Sequence, residues 1–138
     1  MRVFIADDSG IVRERLSSML FDLKKVEIVG SAENVESAAQ SIQELKPDVV
    51  ILDIRMRGGS GIDILAEIKK VSRTPLVIIL TNYPYPQYRE RCMQLGADFF
   101  FDKSVEFERV YEVFERLTLE STLEACRPPE SGLPTGSS

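Results

Sequence analysis

Carboxylate, hydroxyl and ammonium groups directly follow four of the apolar runs in this sequence. These polar residues are Asp7, Asp8, Asp53, Thr81 and the pair Asp102-Lys103. Three neighbouring carboxylates repel one another, so a cation must join them. Because the ligands offered are oxygens and the chain contains no histidine, the fitting ion is a hard one, Mg²⁺ or Mn²⁺.

This set of groups suits the transfer of a phosphoryl group. Bound Mg²⁺ keeps several waters and accepts phosphate oxygens, while Lys103 and the Thr81 hydroxyl would hold other phosphoryl oxygens. One of the acids would be the nucleophile, because aspartate is an established phosphoryl acceptor. Such a transfer depends mainly on positioning and on charge neutralisation. The lack of histidine excludes a Ser-His-Asp triad, a Cys-His pair, a His-ligated metal and an internal phosphohistidine.

The elements that would position these groups alternate regularly along the chain. Five β-rich apolar runs predict strands at Val3–Ala6, Val26–Val29, Val49–Leu52, Leu76–Leu80 and Asp98–Phe101. Most are continuously apolar, which is typical of strands buried on both faces. Between these strands, apolar residues recur with the 3.6-residue period of a helix. The stripe before the second strand is Val12, Leu16, Met19, Leu20 and Leu23, and the stripe before the fourth strand is Ile64, Leu65, Ile68 and Val71.

Five βα units predict an α/β fold, in which a parallel sheet carries helices on both faces. In such sheets the ligand site lies outside the carboxyl ends of the strands. The polar residues that follow the strands would therefore meet at one rim. Gly96 is expected to end the fourth helix. We expect one domain over residues 1–120, followed over 121–138 by a helix end and a disordered tail rich in Pro, Gly and Ser.

Composition limits the classes of partner. The net charge is −5 and no run of Lys and Arg occurs, so direct binding of nucleic acid is disfavoured. The apolar stretch after Met1 is four residues long and ends in two acids, unlike a signal peptide. No run is long enough to span a bilayer, so we expect a cytoplasmic protein without membrane insertion. Cys92 and Cys126 are expected to be reduced thiols.

The motifs taken together resemble the receiver domain of bacterial two-component response regulators over residues 2 to about 118. The resemblance rests on Asp7-Asp8, the stretch from Asp53 to Gly61, Thr81, Gly96-Ala97-Asp98 and Asp102-Lys103. It implies a flavodoxin-like (βα)5 doubly wound fold with strand order 2-1-3-4-5. It also implies a phosphoryl donor, either a sensor histidine kinase or a histidine phosphotransfer protein, and a downstream effector protein as partners.

The resemblance implies a role for each site residue. Asp53 would be the phosphoacceptor. Asp8, Asp53 and the Arg55 carbonyl would bind Mg²⁺ directly, and Asp7 would act through metal-bound water. Lys103 would pair with the carboxylate and then with the phosphoryl group, and Thr81 would hydrogen-bond a phosphoryl oxygen. Phe100 would be the switch aromatic, rotating inward when Thr81 moves.

The sequence departs from the family pattern at three positions, and each departure leads to an expectation. Arg57 replaces a common proline and glycines follow it, which predicts a more mobile loop. Asn82, with Arg55 and Tyr83, would crowd the site, so we expect the phosphorylated state to form and decay slowly. Ser104 replaces the proline of a typically cis Lys-Pro bond, and the sequence leaves open whether Lys103–Ser104 is cis.

Other readings of the same residues exist. An acidic pair can cap a helix, and a lone lysine is usually a surface residue. An aspartate-nucleophile phosphatase would need an Asp-x-Asp pair, whereas here the acids are adjacent. An FMN carrier would need a Ser/Thr/Gly-rich phosphate loop after the first strand. A degenerate receiver that only binds partners is a further alternative. The preferred function is a stand-alone phosphorylation switch that works through protein–protein contacts, and not an enzyme with a free substrate.

Overall fold

A computed structural model describes residues 1–70 and 74–126, with side chains up to residue 120. The strands are β1 (Arg2–Ala6), β2 (Glu27–Ala32), β3 (Val49–Leu52), β4 (Arg55–Met56), β5 (Gly59–Ser60), β6 (Leu76–Thr81) and β7 (Phe99–Asp102). The helices are α1 (Gly10–Leu20), α2 (Val35–Leu45), α3 (Gly61–Ile68), α4 (Pro86–Gln94) and α5 (Phe107–Cys126). The predicted tail from residue 127 onward and Val71 lie outside the described residues.

Five of the strands form one parallel sheet in the order β2-β1-β3-β6-β7. Setting aside the short strands β4 and β5, this is the order 2-1-3-4-5. The central strand β3 is buried along its whole length, as its run of Val, Val, Ile and Leu predicts for a strand covered on both faces. The predicted doubly wound fold is confirmed.

Two apolar clusters fill the spaces between the sheet and its helices. One lies beneath α2, α3 and α4 and includes Phe4, Leu52, Ile79 and Phe100. The other lies beneath α1 and α5 and includes Ile5, Ile51 and Phe114. Successive residues of β1 and β3 point to opposite clusters, since side chains alternate across a strand. Burying each such side chain contributes about 1.5–3 kcal/mol, which anchors the strand ends that carry the polar residues.

Local signals in the sequence set several helix ends. The Ser9 and Asn34 side chains cap α1 and α2 by accepting hydrogen bonds from backbone N–H groups at 3.2 and 2.8 Å. Pro86 lies in the first turn of α4, which has no side-chain cap. Gly96 has a φ of 101° just after α4, as predicted for the residue that ends that helix.

The structure also differs from the sequence prediction in places. Strand β2 begins one residue later and extends to Ala32, because it pairs with β1 as far as Ala6. Helix α1 ends at Leu20, so Leu23 packs against the core from outside the helix. The antiparallel hairpin of β4 and β5 was not predicted, since two-residue strands carry no periodic signal.

Within residues 1–70 and 74–126, no helix has both the length and the apolar character to cross a lipid bilayer.

Candidate functional site

Three carboxylates meet at the rim formed by the carboxyl ends of β1 and β3. Asp7 follows β1 and Asp53 follows β3, and these strands are neighbours in the sheet. Asp7, Asp8 and Asp53 each place an oxygen within 4.8 Å of the others. Asp7 is 2% exposed and Asp53 is 4% exposed, whereas Asp8 faces solvent. The sequence prediction that these three acids converge is confirmed by their geometry.

Lys103 lies between the two buried acids. Its Nζ donates to Asp7 Oδ2 at 2.8 Å and to Asp53 Oδ2 at 3.0 Å. Its backbone N–H donates to the Thr81 carbonyl at 2.8 Å, because β6 and β7 are adjacent and their ends are in register. The ammonium is thus held by residues that follow β1 and β3, while the Lys103 backbone is bonded to the end of β6.

The second oxygen of each buried carboxylate accepts a backbone hydrogen bond. The Ile54 N–H donates to Asp53 Oδ1 at 2.7 Å, and the Ser9 N–H donates to Asp7 Oδ1 at 2.9 Å. These bonds satisfy buried oxygens that would otherwise destabilise the fold. They also fix the orientation of both carboxylates toward Lys103.

The electrostatics of the site favour an additional cation. Burial raises the pKa of Asp53 and the nearby charge of Asp7 raises it further, although Lys103 opposes both. Burial lowers the pKa of Lys103, but the hydrogen bonds and charges of Asp7 and Asp53 outweigh it and the pKa is raised. One ammonium therefore serves two buried carboxylates. The remaining negative charge, with Asp8 beside it, fits a divalent ion with oxygen ligands.

Thr81 is fully buried at the end of β6. Its Oγ1 accepts a hydrogen bond from the Tyr83 N–H at 3.0 Å. The Thr81 backbone is thus bonded to that of Lys103, and its hydroxyl is bonded to the loop before α4.

Phe100 is 4% exposed and packs in the cluster beneath α2, α3 and α4. The Arg89 guanidinium lies 4.8 Å from the centre of its ring and donates to the Phe100 carbonyl at 3.3 Å. The ring therefore already points inward beneath α4. Its predicted rotation when Thr81 moves stays a prediction.

The Arg55 side chain makes contacts that the sequence did not predict. Its guanidinium carbon lies 4.1 Å from the centre of the Tyr83 ring, and Nη2 donates to the Tyr88 hydroxyl at 3.4 Å. Tyr85 is 6.3 Å from Tyr83 and 5.7 Å from Tyr88, centre to centre. Sequence reasoning used only the Arg55 carbonyl and the crowding effect of its side chain.

Gly61 is a further residue on which the site depends. A Cβ added to it would lie 1.9 Å from the Asp53 carbonyl oxygen, far inside any permitted contact. Its N–H donates to the Ile54 carbonyl at 2.6 Å. Only glycine allows α3 to begin against the backbone of Asp53, a requirement that sequence reasoning did not identify.

The loop after Lys103 is held by Ser104 and Asp102. No cis peptide bond occurs among the described residues, so Lys103–Ser104 is trans. The Ser104 N–H and hydroxyl both donate to Asp102 Oδ1, at 2.9 and 2.6 Å. The hydrogen bonds from Ser104 lower the pKa of Asp102. A proline has no N–H to make the first of these bonds.

The glycine-rich loop after Asp53 forms the β4–β5 hairpin. The Arg57 carbonyl accepts the Val35 N–H at 2.9 Å, and Arg57 Nη1 lies 3.5 Å from Glu33 Oε1. Gly58 has a φ of 83°, which favours glycine at the turn. The loop that the sequence predicts to be mobile is thus joined to the start of α2.

Known proteins with similar sequences and folds share this arrangement of elements. The sequence pattern of the response regulator receiver domain matches residues 3–115. The chain is 34% identical over 116 residues to the uncharacterized transcriptional regulatory protein YvfU of Bacillus subtilis, covering 84% of this chain and 58% of that protein. It is 30% identical over 116 residues to the sensory transduction protein LytT of Bacillus anthracis, covering 84% of this chain and 46% of that protein. The chain therefore spans about half the length of these curated relatives.

A solved structure of a response regulator has a similar fold. The crystal structure of a DNA-binding response regulator of the LuxR family from Staphylococcus aureus superposes with a TM-score of 0.76 at 31% identity. The superposition covers 83% of this chain and 96% of that one. With the sequence match over most of its length and the acidic rim in place, this chain belongs to the response regulator receiver domain family.

Proposed function

We propose that this protein is a phosphorylation switch whose phosphoryl group is accepted by Asp53. The observation that carries the proposal is the Lys103 ammonium, which bridges the buried carboxylates of Asp7 and Asp53 at 2.8 and 3.0 Å. Aspartyl phosphorylation and Mg²⁺ binding are characteristic of the receiver family. The donor would be a phosphohistidine on a sensor histidine kinase or a histidine phosphotransfer protein.

The transfer forms one bond and breaks one. A carboxylate oxygen of Asp53 bonds to phosphorus while the N–P bond of the phosphohistidine breaks, and the imidazole leaves with that electron pair. In the later hydrolysis a water oxygen bonds to phosphorus and the P–O bond to Asp53 breaks. The carboxylate and inorganic phosphate are released, and the protons of the water pass to phosphate and solvent.

Each chain residue in the proposal has a limited task. Lys103 moves from sharing the two carboxylates to neutralising the phosphoryl oxygens, as a flexible point charge can. The Thr81 hydroxyl donates to a phosphoryl oxygen. Asp8, Asp53 and the Arg55 carbonyl would hold Mg²⁺, with Asp7 acting through a water. When bound, Mg²⁺ neutralises the charge that develops on the phosphoryl oxygens.

The broader assignment is also part of the proposal. Residues 1–120 would be the switch, and residues 121–138 would contribute a helix end and a tail. The protein would act in the cytoplasm as a switch in its own right, by contact with a downstream effector protein and without binding nucleic acid. The net charge of −5 supports the last point.

Phosphorylation can be tested with a small donor. The protein would be incubated with Mg²⁺ and acetyl phosphate, and its intact mass compared with that of Asp53→Asn and Asp63→Asn. Asp63 is an exposed acid on α3 and serves as the matched control. We expect one phosphoryl group on the wild type and on Asp63→Asn, only with Mg²⁺, and none on Asp53→Asn. No gain with acetyl phosphate or phosphoramidate would contradict the proposal and favour a phosphorylation-independent binding module.

The lifetime of the phosphorylated state follows from the crowding at the site. Arg55 and Tyr83 stack beside it, and the exposed Asn82 lies next to them in sequence. We expect slow formation and slow decay, because donor and water must pass these side chains. The decay of the phosphorylated mass after removal of the donor measures this. A half-life of seconds would contradict the expectation.

A further inference from the structure

Tyr83 is held from two sides by groups of the proposed phosphorylation site. Its backbone N–H donates to Thr81 Oγ1 at 3.0 Å. Its ring lies beneath the Arg55 guanidinium, whose carbon is 4.1 Å from the ring centre. Thr81 and Arg55 come from different elements, β6 and β4. Tyr83 therefore contacts a residue of each of these two strands.

The same guanidinium also holds the start of α4. Arg55 Nη2 donates to the Tyr88 hydroxyl at 3.4 Å, and Tyr88 lies in the first turns of α4. Tyr85, which is 49% exposed, packs between Tyr83 and Tyr88. We call the set of Arg55, Tyr83, Tyr85 and Tyr88 the tyrosine latch.

A phosphoryl group on Asp53 would compete with the tyrosines for the Arg55 guanidinium, and it would draw the Thr81 hydroxyl toward its own oxygens by accepting the hydroxyl proton. It carries about two negative charges near neutral pH. Arg55 follows Asp53 by two residues, a span of at most about 7 Å of backbone, which an arginine side chain can bridge. A charge-assisted bond from guanidinium to phosphate is about twice as strong as a neutral hydrogen bond, whereas an exposed cation–π contact is about as strong as a neutral one.

From these contacts we propose that phosphorylation opens the tyrosine latch: Arg55 and Thr81 turn to the phosphoryl group and release Tyr83 and Tyr88. The inference rests on the proposed phosphorylation of Asp53. It adds a second route by which the charge on Asp53 reaches α4, beside the Thr81–Phe100 route expected of the family. Phe100 is buried beneath α4, whereas Tyr85 of the latch is 49% exposed.

Tyrosine fluorescence can follow the latch directly. The chain has four tyrosines and no tryptophan, and three of the four tyrosines form the latch. The experiment measures quenching by acrylamide before and after treatment with Mg²⁺ and acetyl phosphate, with intact mass read on the same samples. We expect the quenching constant of the wild type to rise on phosphorylation, because released rings are more accessible.

Two variants test whether a rise in quenching comes from the opening of the latch or from a general loosening of the protein. Arg55→Met keeps the stem of the side chain and removes the guanidinium, so its quenching should be raised before phosphorylation. On phosphorylation it should rise less than in the wild type, because only the Thr81 contact to Tyr83 is left to be released. Arg57→Met alters the neighbouring arginine of the same hairpin, which pairs with Glu33, and should behave as the wild type.

The outcomes distinguish the two proposals. A gain of phosphoryl mass with unchanged quenching overturns the latch and leaves the phosphorylation switch standing. Unphosphorylated Arg55→Met that quenches like the wild type also overturns the latch. No gain of mass removes the phosphorylation switch, and the phosphorylation-driven latch with it.

Discussion

At the scale of single residues, Lys103 and the two buried acids dominate the behaviour of this protein. A buried carboxylate is destabilising unless it is paired, and here Asp7 and Asp53 share one ammonium. Their backbone hydrogen bonds from Ser9 and Ile54 satisfy the other oxygens but add no positive charge. The site therefore carries uncompensated negative charge that a divalent cation can neutralise.

Removal of Lys103 should destabilise the fold strongly. Lys103→Met leaves Asp7 and Asp53 buried and facing each other without a cation. Breaking a buried pair in this way costs about 3–5 kcal/mol, and we expect about 3 kcal/mol by urea unfolding at neutral pH. The control is Lys70→Met, since the Lys70–Glu67 pair is 70% exposed on both sides and should change stability by less than about 1 kcal/mol. Equal losses in the two variants would contradict this account.

The pH dependence of stability should change when Asp53 is replaced by asparagine. Burial raises the pKa of folded Asp53 above its ordinary value of 3.8. Between the ordinary pKa of the unfolded chain and the raised pKa of folded Asp53, the folded protein binds more protons than the unfolded chain. The contribution of Asp53 to stability therefore falls as pH rises through this interval. The Asp53→Asn variant does not lose stability in this way as pH rises, because asparagine does not ionise. Lys103 still has Asp7 as its ion-pair partner in the variant.

Urea unfolding without Mg²⁺ at several pH values checks this. The stability of Asp53→Asn relative to wild type should increase from about pH 4 to about pH 7. A difference in unfolding free energy between the two proteins that stays constant over this range would contradict a raised pKa of folded Asp53.

At the scale of elements, the β4–β5 hairpin and the start of α3 set the position of the phosphoacceptor loop. The hairpin is joined to α2 through the bond from Val35 to Arg57. Helix α3 begins at Gly61, which is buried against the Asp53 carbonyl. A side chain at this position would push Asp53 away from Lys103.

Gly61→Ala tests the close approach of α3 to Asp53. The added Cβ would lie 1.9 Å from the Asp53 oxygen, so backbone must move, and we expect a loss of about 2–3 kcal/mol in the free energy of unfolding. Gly10→Ala in α1 is the control, because its Cβ would meet nothing closer than 3.6 Å and alanine favours a helix. A Gly61→Ala protein as stable as Gly10→Ala would contradict the packing described.

At the scale of the whole molecule, the doubly wound sheet brings groups from distant parts of the chain to one rim. Asp7 and Lys103 are 96 residues apart in sequence and 2.8 Å apart in space. An ion bound at that rim joins the ends of β1 and β3, which lie at the centre of the fold. Occupancy of the site is therefore coupled to global stability.

Mg²⁺ should raise the melting temperature of the whole protein. At tenfold excess over the dissociation constant, the gain in unfolding free energy is about 1.4 kcal/mol. Thermal unfolding with Mg²⁺, against K⁺ at matched ionic strength, measures it. Asp8→Asn should lose most of the gain, whereas Glu14→Gln, an exposed acid on α1, should keep it. An equal gain in both variants would place the ion elsewhere.

The sequence by itself determined the order of strands and helices and the residues of the acidic rim. Both follow from local patterns: short continuous apolar runs, an apolar period of 3.6 residues between them, and polar residues at the ends of those runs. Asp7, Asp8, Asp53, Thr81 and Lys103 could be named because strand ends in a parallel sheet must meet. Proline and glycine positions added helix boundaries such as that at Gly96.

Only the tertiary structure decided which of those groups touch and how. The sharing of Lys103 by two acids, the inward Phe100, the stacking of Arg55 on Tyr83 and the contact of Gly61 with Asp53 all join residues whose partners local sequence does not specify. The hairpin after Asp53 likewise depends on a bond to α2. These features arise from side-chain packing across elements, where tenths of an ångström select one arrangement over another, and a pattern of residue types along the chain does not contain that information.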